Sequence, residues 1–135
     1  MICDLFDTVA IPFPFSEKAG SKRRPAVALS NRQFNESGKT VLAMITSKGH
    51  QPWPGDHQIE DLESASLPIP CIVRLKIFTI DKRLLLRQLG HHGESERVSL
   101  FSIIERYFML LLDGWAGRNP ISTVGRVCVN SKLKS

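Results

Sequence analysis

The chain is poor in the features that would define its chemistry at once. It has three cysteines, Cys3, Cys71 and Cys128, odd in number, far apart and without the close spacing of zinc sites or redox pairs. Disulfide scaffolding and thiolate metal binding are therefore excluded as organising features, and reduced thiols in a cytosol are expected. No basic stretch precedes an apolar block near the start, where Asp4 and Asp7 stand, so no secretory leader is expected. The longest apolar run, Val98 to Leu112, contains Glu105 and Arg106, which argues against a membrane span. Internal repeats and low-complexity tracts are missing too. With 135 residues, the expectation is one soluble cytoplasmic domain with no membrane partner and a modest core that needs no staple.

Acid is the other scarcity, and it is local. No Asp or Glu follows Asp113, whereas Arg118, Arg126, Lys132 and Lys134 do. Four of the five net positive charges thus sit in the tail, and residues 1–113 are nearly neutral. Within that body the basic signal is concentrated at Lys18, Lys22, Arg23 and Arg24, set against Glu17 alone. A local cluster of this kind is what contact with a phosphate backbone needs. A domain over residues 1–113 and a basic extension over 114–135, without periodicity and partly disordered, are expected.

Short strands punctuated by Gly and Pro dominate the rest. Thr8 to Phe13 reads as a first strand stopped at Pro14, and Pro25 to Leu29 as a second whose first residue lacks an N–H. Thr40 to Thr46 is apolar on both faces, Gln58 to Leu62 allows a short strand, and Cys71 to Ile80 is the longest. Leu84 to Leu89 is ambiguous, because Arg83 and Arg87 at a spacing of four also permit a helix. Asn31 to Gly38 is a polar connection with room for one helical turn. Without β–α alternation, the set points to a small all-β barrel. One helix is expected from an N-cap at Ser95, flanked by Glu94 and Glu96, to a stop at Gly114, with Leu100, Phe101, Ile104, Phe108 and Leu111 on one face. Val98, Ile103, Tyr107 and Met109 widen that face beyond what a small barrel covers, so a second subunit and the chain's own tail are both candidates to pack on it.

Three stretches in order carry a resemblance: Val9-Ala10-Ile11-Pro12-Phe13-Pro14-Phe15, then Lys22-Arg23-Arg24-Pro25 opening Ala26-Val27-Ala28-Leu29, then Val41 to Ser47 ending in Thr46-Ser47. Ser66 to Asp81 adds a fourth. Together they resemble the PemK/MazF toxins, small ribonucleases of bacterial toxin–antitoxin pairs. The resemblance implies an SH3-like barrel with a C-terminal helix, a homodimer, and metal-independent, cofactor-free cleavage of single-stranded mRNA. It also implies silencing by an acidic antitoxin whose flexible segment enters the RNA groove. It assigns catalysis to Arg24 and Thr46, with Lys22, Arg23, Ser47 and Arg74 as RNA-binding residues. Two departures concern glycine: Phe6 stands where the family has Gly before the first strand's Asp, and Ser66-Leu67 replaces Gly-Leu. Lys76 replaces an acid of some branches. A non-catalytic RNA- or protein-binding toxin on the same fold, either like a gyrase inhibitor or a degenerate family member, is the alternative.

Such a reaction, attack of a 2′-hydroxyl on the adjacent phosphate, needs a proton acceptor, charge stabilisation at the phosphoryl oxygens and a proton for the departing 5′-oxygen. Arg24 suits the second task, being permanently charged and able to offer paired N–H groups. Thr46 and Ser47 offer hydroxyl donors. His50 and His57 flank Trp53 and read as incidental loop histidines, Trp53 as a plug for the barrel end or a base-stacking surface, and His91-His92 as a polar turn without further metal ligands.

Overall fold

The structure, a computed structural model, describes residues 1–13, 22–49 and 51–109. The strands are β1 (Thr8–Phe13), β2 (Lys22–Ala28), β3 (Lys39–Ser47), β4 (His57–Gln58), β5 (Cys71–Asp81) and β6 (Arg87–Gly90). They form one curled antiparallel sheet in the order β4-β5-β3-β2-β1-β6. Helix α1 (Arg32–Asn35) is the single turn expected between β2 and β3, capped by Asn31, whose side chain accepts from the Phe34 N–H. Helix α2 (Glu94–Ile104) follows β6 and continues as a π-helical stretch, Glu105–Met109. The chain divides into two compact units, residues 1–99 and 100–135. The expected boundary after residue 113 and the stop at Gly114 lie outside the described residues.

Alternation explains the core. The face of the sheet carrying Val9 and Ile11 of β1, Ala26 and Ala28 of β2, Leu42 of β3 and Ile80 of β5 is buried together with Cys3 and Leu85, and Met44, Phe78 and Leu84 pack on its edge. The expected mainly β fold with a C-terminal helix is what the chain adopts. Besides single-residue shifts, four boundaries differ, each for a tertiary reason. Strand β4 is His57–Gln58 rather than Gln58 to Leu62, because its pairing with β5 stops at Gln58↔Ile72 and the Glu60 and Asp61 N–H groups bond the Glu96 carboxylate instead. Strand β2 begins at Lys22 rather than Pro25, because β1 pairs through its last residue, Phe13↔Lys22. Ambiguous Leu84–Leu89 resolves into a 3-10 turn, Lys82–Leu84, and strand β6, which pairs with β1. Helix α2 begins at Glu94, so Ser95 lies inside its first turn.

The apolar face anticipated for α2 is not uniformly covered. Leu100 is buried, but Phe101 and Phe108 are more than half exposed and Val98 is 59% exposed. Leu111 lies outside the described residues.

The two glycine departures are now explained in geometric terms. Phe6 (φ 66°) and Ser66 (φ 58°) are the non-glycine residues with positive φ among the described residues. The backbone keeps the left-handed conformation that glycine would enter freely, and a side chain is forced into it. At Phe6 the strain is offset, since the ring is buried and lies against the Arg97 guanidinium, 5.6 Å from carbon to centroid, and the Phe6 N–H donates to the Ala28 carbonyl at 2.7 Å. Ser66 also bonds through its N–H, to the Glu63 carbonyl at 2.9 Å, but it is exposed and buries no ring to offset the strain. Ser66→Gly should therefore raise stability by about 1 kcal/mol. Phe6→Gly should lower it by roughly 1–3 kcal/mol as the buried ring is lost. Urea unfolding of both variants checks the opposite signs.

Candidate functional site

The last paired residues of β2 and β3 at their shared end are Ala26 and Met44. Arg24 and Thr46 each lie two residues beyond that last pair, Arg24 on the face that carries Ile11 and Ala26. Across the sheet, Thr46 pairs with Ile72 of β5 and Ile72 with Gln58 of β4. One transverse row therefore runs Thr46, Ile72, Gln58. Arg24 is exposed, and its guanidinium carbon lies 5.9 Å from the centroid of Phe13 at the end of β1. Among the described residues no carboxylate pairs with it. Thr46 and Ser47 are half-buried. A cleft of about 420 Å³ opens beside this row, lined by Lys48, Gly49, Pro52, Asp56, Gln58 and Ile72.

Strand alternation separates the basic residues. Arg24 shares a face with Ala26 and Ile11, whereas Arg23, opposite Pro12, shares the other with Pro25 and Ala10. Lys22, opposite Phe13, is exposed at the strand end on the Arg24 side. Arg23 and Arg24 nonetheless both line a second cleft of about 210 Å³, together with Arg87 and Leu67. Arg87, opposite Ala10 in β6, had no local signal in the sequence, where its spacing from Arg83 suggested a helix.

Arg74 has a partner. Between Ala43↔Ile77 and Ile45↔Val73, a two-residue step in β3 is matched by a four-residue step in β5, so Arg74 falls in a bulge that re-aims its side chain. Its Nε and a terminal N–H donate to the two Asp56 carboxylate oxygens at 3.1 and 2.9 Å, and a further N–H donates to the Gln51 carbonyl at 2.9 Å. The guanidinium carbon also lies 4.9 Å from the centroid of Trp53. Burial pushes the Asp56 carboxyl up, but the hydrogen bonds from Arg74 and the Trp53 N–H outweigh it and hold the group below the usual carboxylate range. Arg74 is thus a pin for the loop between β3 and β4, with its charge already matched. Trp53 does not plug the barrel; it is 44% exposed.

Two histidines that sequence reading set aside are structural. His57 binds Glu96 of α2 through Nε2, and the other Glu96 oxygen accepts the backbone N–H groups of Glu60 (2.8 Å) and Asp61 (3.1 Å). This buried carboxylate anchors the two-residue strand β4, and with it Gln58. Burial raises the Glu96 pKa, but His57 and the two N–H groups together bring it below the ordinary value. His92 is buried rather than in a polar turn: its Nε2 is 3.2 Å from the Thr8 hydroxyl, and its Nδ1 has no partner. No group of three or more metal-ligating side chains occurs among the described residues. No helix among them is long and apolar enough to cross a membrane.

The curled six-stranded antiparallel sheet followed by a helix is a mainly β fold of the MazF type. The chain belongs to the PemK-like, MazF-like toxins of type II toxin–antitoxin systems, whose family profile matches residues 6–108. Solved structures agree on the fold. A MazE–MazF structure from Deinococcus radiodurans is 20% identical, with a TM-score of 0.62 over 82% of this chain and 97% of that one. The Mycobacterium tuberculosis toxin MazF-mt6 is 19% identical, with a TM-score of 0.60 over 76% and 95%. An endoribonuclease in complex with its cognate antitoxin, from Mycobacterial species, is 13% identical, with a TM-score of 0.58 over 76% and 91%. A search of curated proteins found no match.

His92 generates a pH prediction. Burial, the largest cause, pushes its pKa below the ordinary imidazole value. A group that must stay neutral in the fold contributes stability above its unfolded pKa, near 6.5, and loses it as pH falls toward the folded value. Stability should drop by up to ~1.4 kcal/mol per pH unit below about 6.5 for this one proton. His92→Gln should flatten that slope, measured by urea unfolding between pH 7 and 5.

Proposed function

We propose that this toxin is an endoribonuclease that cleaves single-stranded RNA without a metal, with Arg24 and Thr46 as its catalytic residues. The observation that supports the reading is that β2 and β3 pair up to Ala26↔Met44, two residues short of Arg24 and of Thr46, in a chain whose family profile matches residues 6–108. Arg24 clamps the two phosphoryl oxygens and stabilises the charge that builds up as the ribose 2′-hydroxyl attacks. Thr46 donates its hydroxyl to the same phosphate, and Ser47 supports it from the next position. Lys22, at the exposed strand end beside Phe13, holds the adjoining phosphate. His57 is no proton carrier in this scheme, since Glu96 engages its Nε2. Arg74 acts through the loop it pins rather than on the phosphate.

The glycine departure at Phe6 does not argue for a degenerate member, because the left-handed backbone is retained there. The expected outcome in EDTA is cleavage of a long RNA, with upstream products ending in a cyclic phosphate, as an internal nucleophile dictates. Arg24→Ala should cut at least about a hundredfold more slowly while unfolding like the wild type. Magnesium dependence, 3′-hydroxyl ends or undiminished cleavage by the variant would each remove this mechanism.

The partner follows from the same charges. A homodimer silenced by an acidic antitoxin is the assembly that the family implies. A flexible acidic segment neutralises Lys22 and Arg24 without offering a scissile bond. RNA and antitoxin should then compete, with both affinities falling as salt rises and both weakened by Arg24→Ala. Saturating antitoxin that leaves RNA affinity unchanged, in a fluorescence anisotropy titration, would show separate surfaces.

A further inference from the structure

Trp53 is the feature that the reaction leaves unexplained. A tryptophan left 44% exposed in a loop would ordinarily be free to turn, yet this one is held from several sides. Its backbone N–H donates to an Asp56 carboxylate oxygen at 2.9 Å, and the Asp56 N–H returns a bond to the Trp53 carbonyl at 3.2 Å. The same carboxylate binds Arg74, whose guanidinium lies against the indole. Arg74 is 9% exposed and its charge is matched, so it supports the ring rather than seeking an anion.

Pro52 and Asp56, on either side of Trp53 in sequence, line the 420 Å³ cleft, and Gln58 lines it from β4. Gln58 is exposed, and it ends the row that begins at Thr46. An aromatic surface backed by a neutralised guanidinium, beside a cleft with an amide offering both donor and acceptor, matches what an unstacked nucleobase requires. Gln58 and Ile72, which line the cleft, share their row with Thr46 of β3, the hydroxyl that the proposed reaction uses.

We infer that the Trp53 loop is the base-reading subsite of this protein: Trp53 stacks one nucleobase next to the scissile phosphate, and Gln58 reads that base's hydrogen-bonding edge. Arg74 and Asp56 are positioning residues that hold the ring ready. The inference rests on the endoribonuclease reading, which it deepens by naming what selects the cut site.

The test separates the two. In a Trp115→Phe background, Trp53 is the remaining tryptophan, and its fluorescence is followed as random-sequence single-stranded RNA is added in EDTA; cut ends are sequenced in parallel for the parent, Trp53→Ala, Trp53→Phe and Gln58→Ala. Quenching is expected on binding. Trp53→Ala should bind about ten- to hundredfold more weakly, the range set by the stacking of one base, and Trp53→Phe should recover most of that loss. Gln58→Ala should relax the preference at one position of the cut motif while still cutting. Cleavage by the parent without quenching, and with an unchanged motif in Trp53→Ala and Gln58→Ala, overturns the subsite and leaves the endoribonuclease reading intact. Quenching without cleavage supports the subsite and removes the reaction, and neither signal removes both.

Discussion

The hydrogen-bonded register between β2 and β3 is the constraint on which the functional argument depends. Ala26 faces Met44 and Ala28 faces Leu42 because these side chains complete one buried layer with Ile11 and Phe78. A one-residue slip would turn every one of them to the other face. Arg24 and Thr46 each lie two residues beyond the last apolar pair, Ala26 and Met44. The core thereby fixes the strand ends from which the guanidinium and the hydroxyl extend.

From those strand ends outward, each support serves the next. Glu96 reaches from the first turn of α2 to hold His57 and two loop N–H groups, which secures a strand of two residues that could not stand by pairing alone. The β5 bulge sends Arg74 toward Asp56, which orders the loop above the cleft. Buried and half-buried charges in this toxin are thus spent on placing loops and short strands. Lys22, Arg23 and Arg24 at the start of β2 are exposed.

Much of this was legible in the sequence. β1 matched its expected limits, and β3 and β5 extended theirs by a residue or so, because continuous apolar runs between Gly and Pro signals leave little choice. The choice of Arg24 and Thr46 as candidates came from the ordered motifs rather than from any single spacing. Three things stayed hidden for one physical reason, namely contacts made across long stretches of chain. Arg74 meets Asp56 18 residues away, His57 meets Glu96 39 residues away, and His92 meets Thr8 84 residues away. No local pattern records such pairs, so Arg74 read as a free cation and both histidines as incidental. Phe6 was the reverse case: a glycine position occupied by a bulky residue announced the positive φ that the backbone adopts.

The central claim is that Arg24 and Thr46 act on one phosphate. A double-mutant cycle on the rate of RNA cleavage in EDTA addresses it directly, using Arg24→Ala, Thr46→Ala and the double variant. Two groups serving the same phosphoryl oxygens should be strongly non-additive, the double variant being little slower than Arg24→Ala alone. Losses that simply multiply would mean that the two residues act independently, and the shared site would be contradicted.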